Sequence, residues 1–142
     1  MQQEWDGFTT VVGYCTYQPA RLKVAPVGYC FGAKYVVRSL GDGSIDAGYI
    51  AHPAAIEKSE LEAVKGPLAI AAAEVDTIFP TNLRHDSEAL LQKLGTPWQL
   101  NVYAGVTHGF AVRCDLSDKR QKYAKESAFL LALQWFEEHV GA

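Results

Sequence analysis

Cysteine is scarce in this chain of 142 residues: Cys15, Cys30 and Cys114 make an odd count with no C-x-x-C pair. That usage fits neither a disulfide framework nor a structural zinc site, and it points to a reducing, cytoplasmic setting. Long hydrophobic runs are also missing. The longest wholly apolar stretch, residues 68–73, falls far short of the roughly 20 residues that span a bilayer. The start, Met1-Gln2-Gln3-Glu4-Trp5-Asp6, has neither a basic n-region nor an apolar h-region. No membrane span and no secretion are expected. Nor is there an excess of positive charge, since 13 Lys+Arg against 16 Asp+Glu leave a net −3. The charges are scattered, so no basic stripe attracts a phosphate backbone and nucleic acid is not an expected partner.

What is present suits one α/β unit, at a length close to the roughly 150 residues typical of a domain. Residues 1–21 read as neither strand nor helix in any repeating pattern and form an atypical N-terminal segment. Residues 22–142 alternate short apolar runs with helical ones. Residues 22–28 read as a strand that ends in glycine, followed by a helix over 33–40 that Gly41 stops. A second short strand, 47–51, is closed by His52-Pro53, and 59–65 gives a helical turn or two before Gly66-Pro67. The run 68–75 does not alternate, as expected of a strand covered on both faces. Leu83, Ser87, Leu90, Leu91 and Leu94 share a helical face, with Gly95 as left-handed cap. Trp98, Leu100 and Val102 alternate with polar residues in a fourth strand. Ser117-Asp118 caps a last helix with one stripe of Ala124, Ala128, Leu131 and Trp135 and an adjacent one of Phe129, Leu133, Phe136 and Val140. The pattern predicts a mostly parallel sheet of about four strands with flanking helices, and ligands in such sheets bind beyond the carboxyl ends of the strands.

Chemistry-bearing residues fall at those ends. Gly28-Tyr29-Cys30-Phe31-Gly32 has the G-x-nucleophile-x-G spacing of a nucleophile elbow, at a strand-to-helix junction and with cysteine in the middle. So tight a turn leaves no room for side chains two residues either side of the nucleophile, which is the use of Gly28 and Gly32. Cys30 then stands at a helix N-terminus, whose dipole and free N–H groups favour a thiolate. The pattern alone also fits a glycine-shaped turn around a small buried cysteine. Asp76 follows the third strand and His108 the fourth, which gives the order nucleophile, acid, histidine found in hydrolases of this architecture. Taken singly, Asp76 also suits a helix N-cap and His108 a loop. His52 either lines a pocket or ends its strand. Glu74 is the alternative acid, while His85 and His139 lie on helical surfaces. The spacing of Cys30, Cys114 and His108 gives no support for a metal site, and no cofactor is called for.

These residues carry a resemblance. Val27 to Tyr35, Ala51-His52-Pro53, Ala72 to Pro80 and His108-Gly109-Phe110-Ala111-Val112-Arg113 together resemble the C-terminal half of dienelactone hydrolases, fungal ones above all. Lys122-Tyr123-Ala124 and Trp135-Phe136 extend the match. The resemblance implies a partial α/β-hydrolase fold and a Cys30, His108, Asp76 triad that hydrolyses an ester or lactone through an acyl-enzyme. It further implies an oxyanion donor at the Phe31 N–H and a pocket touching Tyr29, His52, Phe110 and Arg113. Members of that family carry a first half of the sheet ahead of the elbow strand, and no residues here align with it. Val12-Gly13-Tyr14-Cys15 copies Val27-Gly28-Tyr29-Cys30, yet Thr16-Tyr17 follows it, so Cys15 reads as a decoy. An uncovered elbow strand, unless paired by 1–21, would favour a homodimer through its edge. The competing reading is therefore a non-catalytic remnant that binds a partner or itself. A redox-sensing role for Cys30 is a third.

Overall fold

The structure is a computed structural model and describes residues 11–18 and 21–141. Of the N-terminal segment set apart above, residues 1–10 and 19–20 lie outside the described residues. The chain runs β1 (Val11–Gln18), β2 (Arg21–Tyr29), α1 (Gly32–Asp42), β3 (Gly48–Ala51), α2 (Lys58–Glu62), β4 (Leu68–Val75), α3 (Thr81–Leu94), β5 (Trp98–Thr107) and α4 (Lys119–Val140). The strands form one sheet in the order β1-β2-β3-β4-β5. From β2 to β5 the pairing is parallel, with Tyr29 opposite Ala51 and Ala51 opposite Ala71. The expected four-strand parallel sheet with flanking helices is present, and β1 adds an antiparallel fifth strand.

That fifth strand comes from the segment that carried no legible pattern. β1 pairs with β2 along its whole length, from Val11 opposite Gly28 to Gln18 opposite Arg21. β2 is consequently an interior strand and not the edge it would be without a partner. Pro26 lies opposite Gly13, and Cys15 lies opposite Val24, inside β1, whose strand continues to Gln18. The glycine copy at Gly13 thus stays within a strand and builds no elbow.

The run at 68–75 explains itself once both faces are filled. Leu68, Ile70 and Ala72 pack in one core cluster with Val36, Val37 and Leu40 of α1 and Leu91 of α3. Ala69, Ala71 and Ala73 pack in the other with Ala128, Leu131, Trp135 and Phe136 of α4. The alternating alanines let α4 approach closely, and the Tyr49 hydroxyl of β3 fastens it by donating to the Ala128 carbonyl at 2.7 Å.

Helix ends follow local chemistry. Asp118 caps α4 by accepting from the Arg120 and Gln121 N–H groups, and Gly95 closes α3 at φ 71°. Of the two stripes expected on α4, the first is buried throughout. In the second, Phe136 and Val140 are buried whereas Phe129 and Leu133 are exposed. Val102 is likewise 46% exposed, since β5 ends the described sheet and one flank of it has no neighbouring strand.

Candidate active site

The carboxyl ends of the four parallel strands each deliver one reactive or polar side chain to the same place: Cys30 after β2, His52 after β3, Asp76 after β4 and His108 after β5. Parallel pairing is the cause, because it puts all four ends on one side.

At the first of these the chain turns through Cys30 at φ +51°, a left-handed conformation that costs a non-glycine residue about 1–3 kcal/mol and persists only where neighbours enforce it. Those neighbours are visible. The Cys30 N–H donates to the Ala51 carbonyl at 3.2 Å, and the Cys30 carbonyl accepts from Ala33 at 3.2 Å and from Ala54 at 3.0 Å. Gly28 makes the turn possible by close approach: a Cβ there would lie 2.7 Å from the Gly32 oxygen and 2.8 Å from the Ala33 Cα and nitrogen. Gly32 opens α1 directly behind the turn. Phe31 is the N-cap of α1, at the helix end whose first N–H groups lack intrahelical acceptors.

Asp76 is 7% exposed. Its Oδ1 accepts from the Ile78 and Phe79 N–H groups at 2.8 and 2.9 Å, which aims Oδ2 at the Nδ1 of His108, 2.8 Å away. The other ring nitrogen of His108, Nε2, lies 3.2 Å from the Cys30 sulfur. A carboxylate is acceptor only, so Nδ1 carries the proton and Nε2 faces the sulfur as the basic nitrogen. Glu74, the alternative acid, points elsewhere: its Oε2 accepts from the Gly105 N–H at 2.7 Å.

That bond spans an irregularity which sequence spacing did not reveal. Between the pairs Ala73 with Tyr103 and Val75 with Thr107 the register shifts, and Gly105 sits at φ 73°. The extra residues in β5 carry His108 forward to meet Asp76 and Cys30, as bulges beside active sites commonly re-aim a side chain.

His52 is 2% exposed. Its ring stacks on Tyr29 at 5.9 Å between centroids, and it meets His108 edge-to-face at 5.1 Å and Phe110 at 5.9 Å. Burial, and after it the neighbouring His108, push its pKa down to about 4. Free histidine titrates near 6.5, so the unfolded chain takes up a proton that the folded ring refuses. Stability from this group is complete above about pH 6.5 and is lost as pH falls toward 4, by about 3 kcal/mol in total. Urea midpoints near pH 7 and near pH 4 should therefore differ by more in the wild type than in His52→Phe. Parallel midpoints in the two proteins would contradict a neutral buried ring.

Phe110 is buried against Tyr103, and Arg113 is exposed with its guanidinium beside Gly109. The loop between β3 and α2 is held by Lys34 of α1, whose ammonium donates to the Ala55 carbonyl at 2.8 Å and meets Glu57 and Glu60. Hydrogen bonding to Glu60 and Glu57 keeps Lys34 above its ordinary pKa, against burial. Arg38 also pairs with Glu60. This network was not legible in the sequence, because its members are 21 to 26 residues apart. His85 lies exposed on α3, and His139 on α4 packs against Trp135 at 4.1 Å.

Two grooves adjoin this end of the sheet. One, of about 590 Å³, runs from Tyr29 and Tyr49 past Ala111 and Leu116 to Phe129 and Leu130. The other, of about 670 Å³, lies between α2 and α3 and starts at Pro53 and Ala54. Of the residues expected in a pocket, Tyr29 lines the first groove and His52 is buried behind it.

A parallel sheet with a strained cysteine elbow after one strand, and an acid and a histidine after later ones, is the architecture of the α/β-hydrolases. Within that class the chain belongs to the dienelactone hydrolase family, whose model matches residues 1–140. It is 55% identical over 118 residues to the hydrolase tropI of Talaromyces stipitatus, covering 83% of this chain and 46% of that protein. It is 32% identical over 118 residues to dienlactone hydrolase 1 of Gibberella moniliformis, covering 82% and 45%. Among solved structures it resembles a dienelactone hydrolase-like promiscuous phosphotriesterase from metagenomic libraries, with a TM-score of 0.65 at 13% identity, over 81% of this chain and 52% of that one. A puromycin-hydrolyzing peptidase of Mycobacterium tuberculosis gives 0.67 at 12% identity, over 87% and 23%. The chain spans about half the length of the curated relatives it matches. No helix among the described residues is long and apolar enough to cross a membrane.

Proposed function

We propose that this hydrolase cleaves a small ester or lactone through an acyl-enzyme formed on Cys30. The observation that carries the reading is the continuous chain from Asp76 Oδ2 through both nitrogens of His108 to the Cys30 sulfur, at 2.8 and 3.2 Å. The Cys30 proton passes to His108 Nε2 and the thiolate attacks the carbonyl carbon. Negative charge gathers on the carbonyl oxygen, where the Phe31 N–H donates to it. The carbon–oxygen bond to the leaving group then breaks. An enol ester releases an enolate and an ordinary ester an alkoxide, and in either case the leaving group takes the proton back from His108, which restores the neutral ring. Water next gives a proton to His108 and attacks the thioester, and the sulfur leaves. Asp76 holds the imidazole in the tautomer that each step requires. An apolar part of the substrate lies in the groove that begins at Tyr29, the residue before the nucleophile.

Alkylation of Cys30 by iodoacetamide, followed by peptide mass mapping, tests the assembled pair separately from turnover. At neutral pH an unassisted thiol is only a few per cent ionised, so His108→Ala should slow labelling by about tenfold or more. Equal rates in both proteins would sink the reading. In the competing self-association reading, the edge of β2 is occupied by β1, so pairing between copies would use β1 instead.

A further inference from the structure

His52 is unexplained by the triad and by folding energetics. Its side chain is among the largest fully buried ones, and neither ring nitrogen has a hydrogen-bond partner among the described residues. A neutral imidazole carries one donor and one acceptor, and a buried polar group without a partner costs about 1–3 kcal/mol. Phenylalanine would satisfy the same aromatic packing against Tyr29 and Phe110 at no such cost. The backbone is strained as well, at φ +38°, and is pinned by the His52 N–H donating to the Ala71 carbonyl at 2.8 Å. The fold thus maintains a polar ring, in an unfavourable conformation, one van der Waals contact from His108.

His108 cannot be its partner in the resting site, since Nδ1 is committed to Asp76 and Nε2 to Cys30. The second commitment lapses once the sulfur is acylated. Nε2 then needs a water, and a water held in a buried site needs two to four polar partners. The rings around this spot offer few: Phe110 has no polar atom, and Tyr49 spends its hydroxyl on Ala128.

We propose that His52 is a catalytic residue of the deacylation step, binding the hydrolytic water together with His108. Its unprotonated nitrogen accepts one O–H of that water while His108 Nε2 accepts the other, which turns an oxygen lone pair toward the thioester carbon. The new carbon–oxygen bond forms as the carbon–sulfur bond breaks. One proton travels through His108 to the Cys30 sulfur, the other stays on the product acid, and His52 remains neutral throughout. The groups facing it are His108, Asp76, Arg113 and Tyr29, and its depressed basicity keeps the accepting nitrogen free of a proton.

This inference rests on acylation of Cys30, and the experiment separates the two. Wild type, His52→Phe and His52→Gln are mixed with p-nitrophenyl acetate, and intact-mass spectrometry with peptide mapping follows acetylated Cys30 beside nitrophenol release. Phenylalanine keeps the packing and removes the acceptor. It should acetylate within about threefold of the wild-type rate, then accumulate acetyl-Cys30 because steady-state release falls about 10- to 100-fold, the scale on which mispositioning of a reactant acts. Glutamine, which keeps an acceptor oxygen, should turn over faster than phenylalanine. Unchanged steady-state release in His52→Phe overturns the proposal, as does equal slowing of acylation and deacylation, the sign of a packing role alone. If wild type never acquires the acetyl group on Cys30, the acyl-enzyme reading fails and this step falls with it.

Discussion

Cys30→Ala is expected to release nitrophenol from p-nitrophenyl acetate no faster than a heat-treated control, a loss of at least about 10⁴-fold against the wild type. The magnitude follows from how such units behave. Where a nucleophile and its base act together, deleting either one removes nearly all the acceleration, and what remains comes from the oxyanion donors and binding alone. Here the remainder should be small, because the proposed oxyanion donor is a single backbone N–H, at Phe31, and one such donor is worth about 2.7–4 kcal/mol. Alanine fits the site, since it keeps the Cβ and removes only the sulfur. The φ of +51° is no harder for alanine than for cysteine, so a change in thermal midpoint should be slight and the kinetic loss attributable to chemistry. Retention of a tenth or more of the wild-type rate by Cys30→Ala would locate the nucleophile elsewhere. Cys114, which is free and partly accessible, would then be the next residue to replace.

The sequence and the structure agree where local chemistry decides and part where distant pairing decides. Strand ends, the elbow and the order of Cys30, Asp76 and His108 were legible because each rests on a few adjacent residues, with glycines for a tight turn and a carboxylate or ring just past a strand. The choice of carboxylate that meets His108 was finer, and it turned on one residue of strand length: Asp76 lies just beyond Val75, the last residue of β4, whereas Glu74 is still within it. β1 was not legible. Residues 11–18 have no amphipathic rhythm of their own and become a strand by pairing with β2, a tertiary cause that propensity does not record. The shift in β5 was hidden for a similar reason, since it is defined only against its partner strand. On α4, period alone gives Phe129 and Phe136 the same standing, yet in the structure one is exposed and the other buried. His52 was recognised as a post-strand residue, but its unpaired nitrogens and its contact with the His108 ring are visible only in three dimensions.

Gly28→Val should cost about 3 kcal/mol or more and lower the thermal midpoint by about 10 °C, by the usual conversion for a domain of this size. The first atom of the new side chain would fall 2.7 Å from the Gly32 oxygen and 2.8 Å from Ala33. All three contacted atoms are backbone, so no rotamer change relieves them. Either β2 and α1 separate, opening the core that Val36, Val37 and Leu40 share with β4, or the turn at Cys30 unwinds and the sulfur leaves His108. Overpacked sites usually cost about 1–3 kcal/mol where neighbours can yield, and here they are a helix start and a central strand. Gly43→Ala is the control. At φ +78° with nothing within 4 Å of the added atom, it carries only the left-handed penalty, about 1 kcal/mol at the end of α1. The two variants separate close approach from backbone strain, which sequence alone cannot do for two glycines that flank the same helix. In Gly28→Val, iodoacetamide labelling of any folded fraction should fall to the His108→Ala rate. A Gly28→Val protein with wild-type midpoint and wild-type labelling would mean that the elbow does not depend on contact between β2 and the first turn of α1.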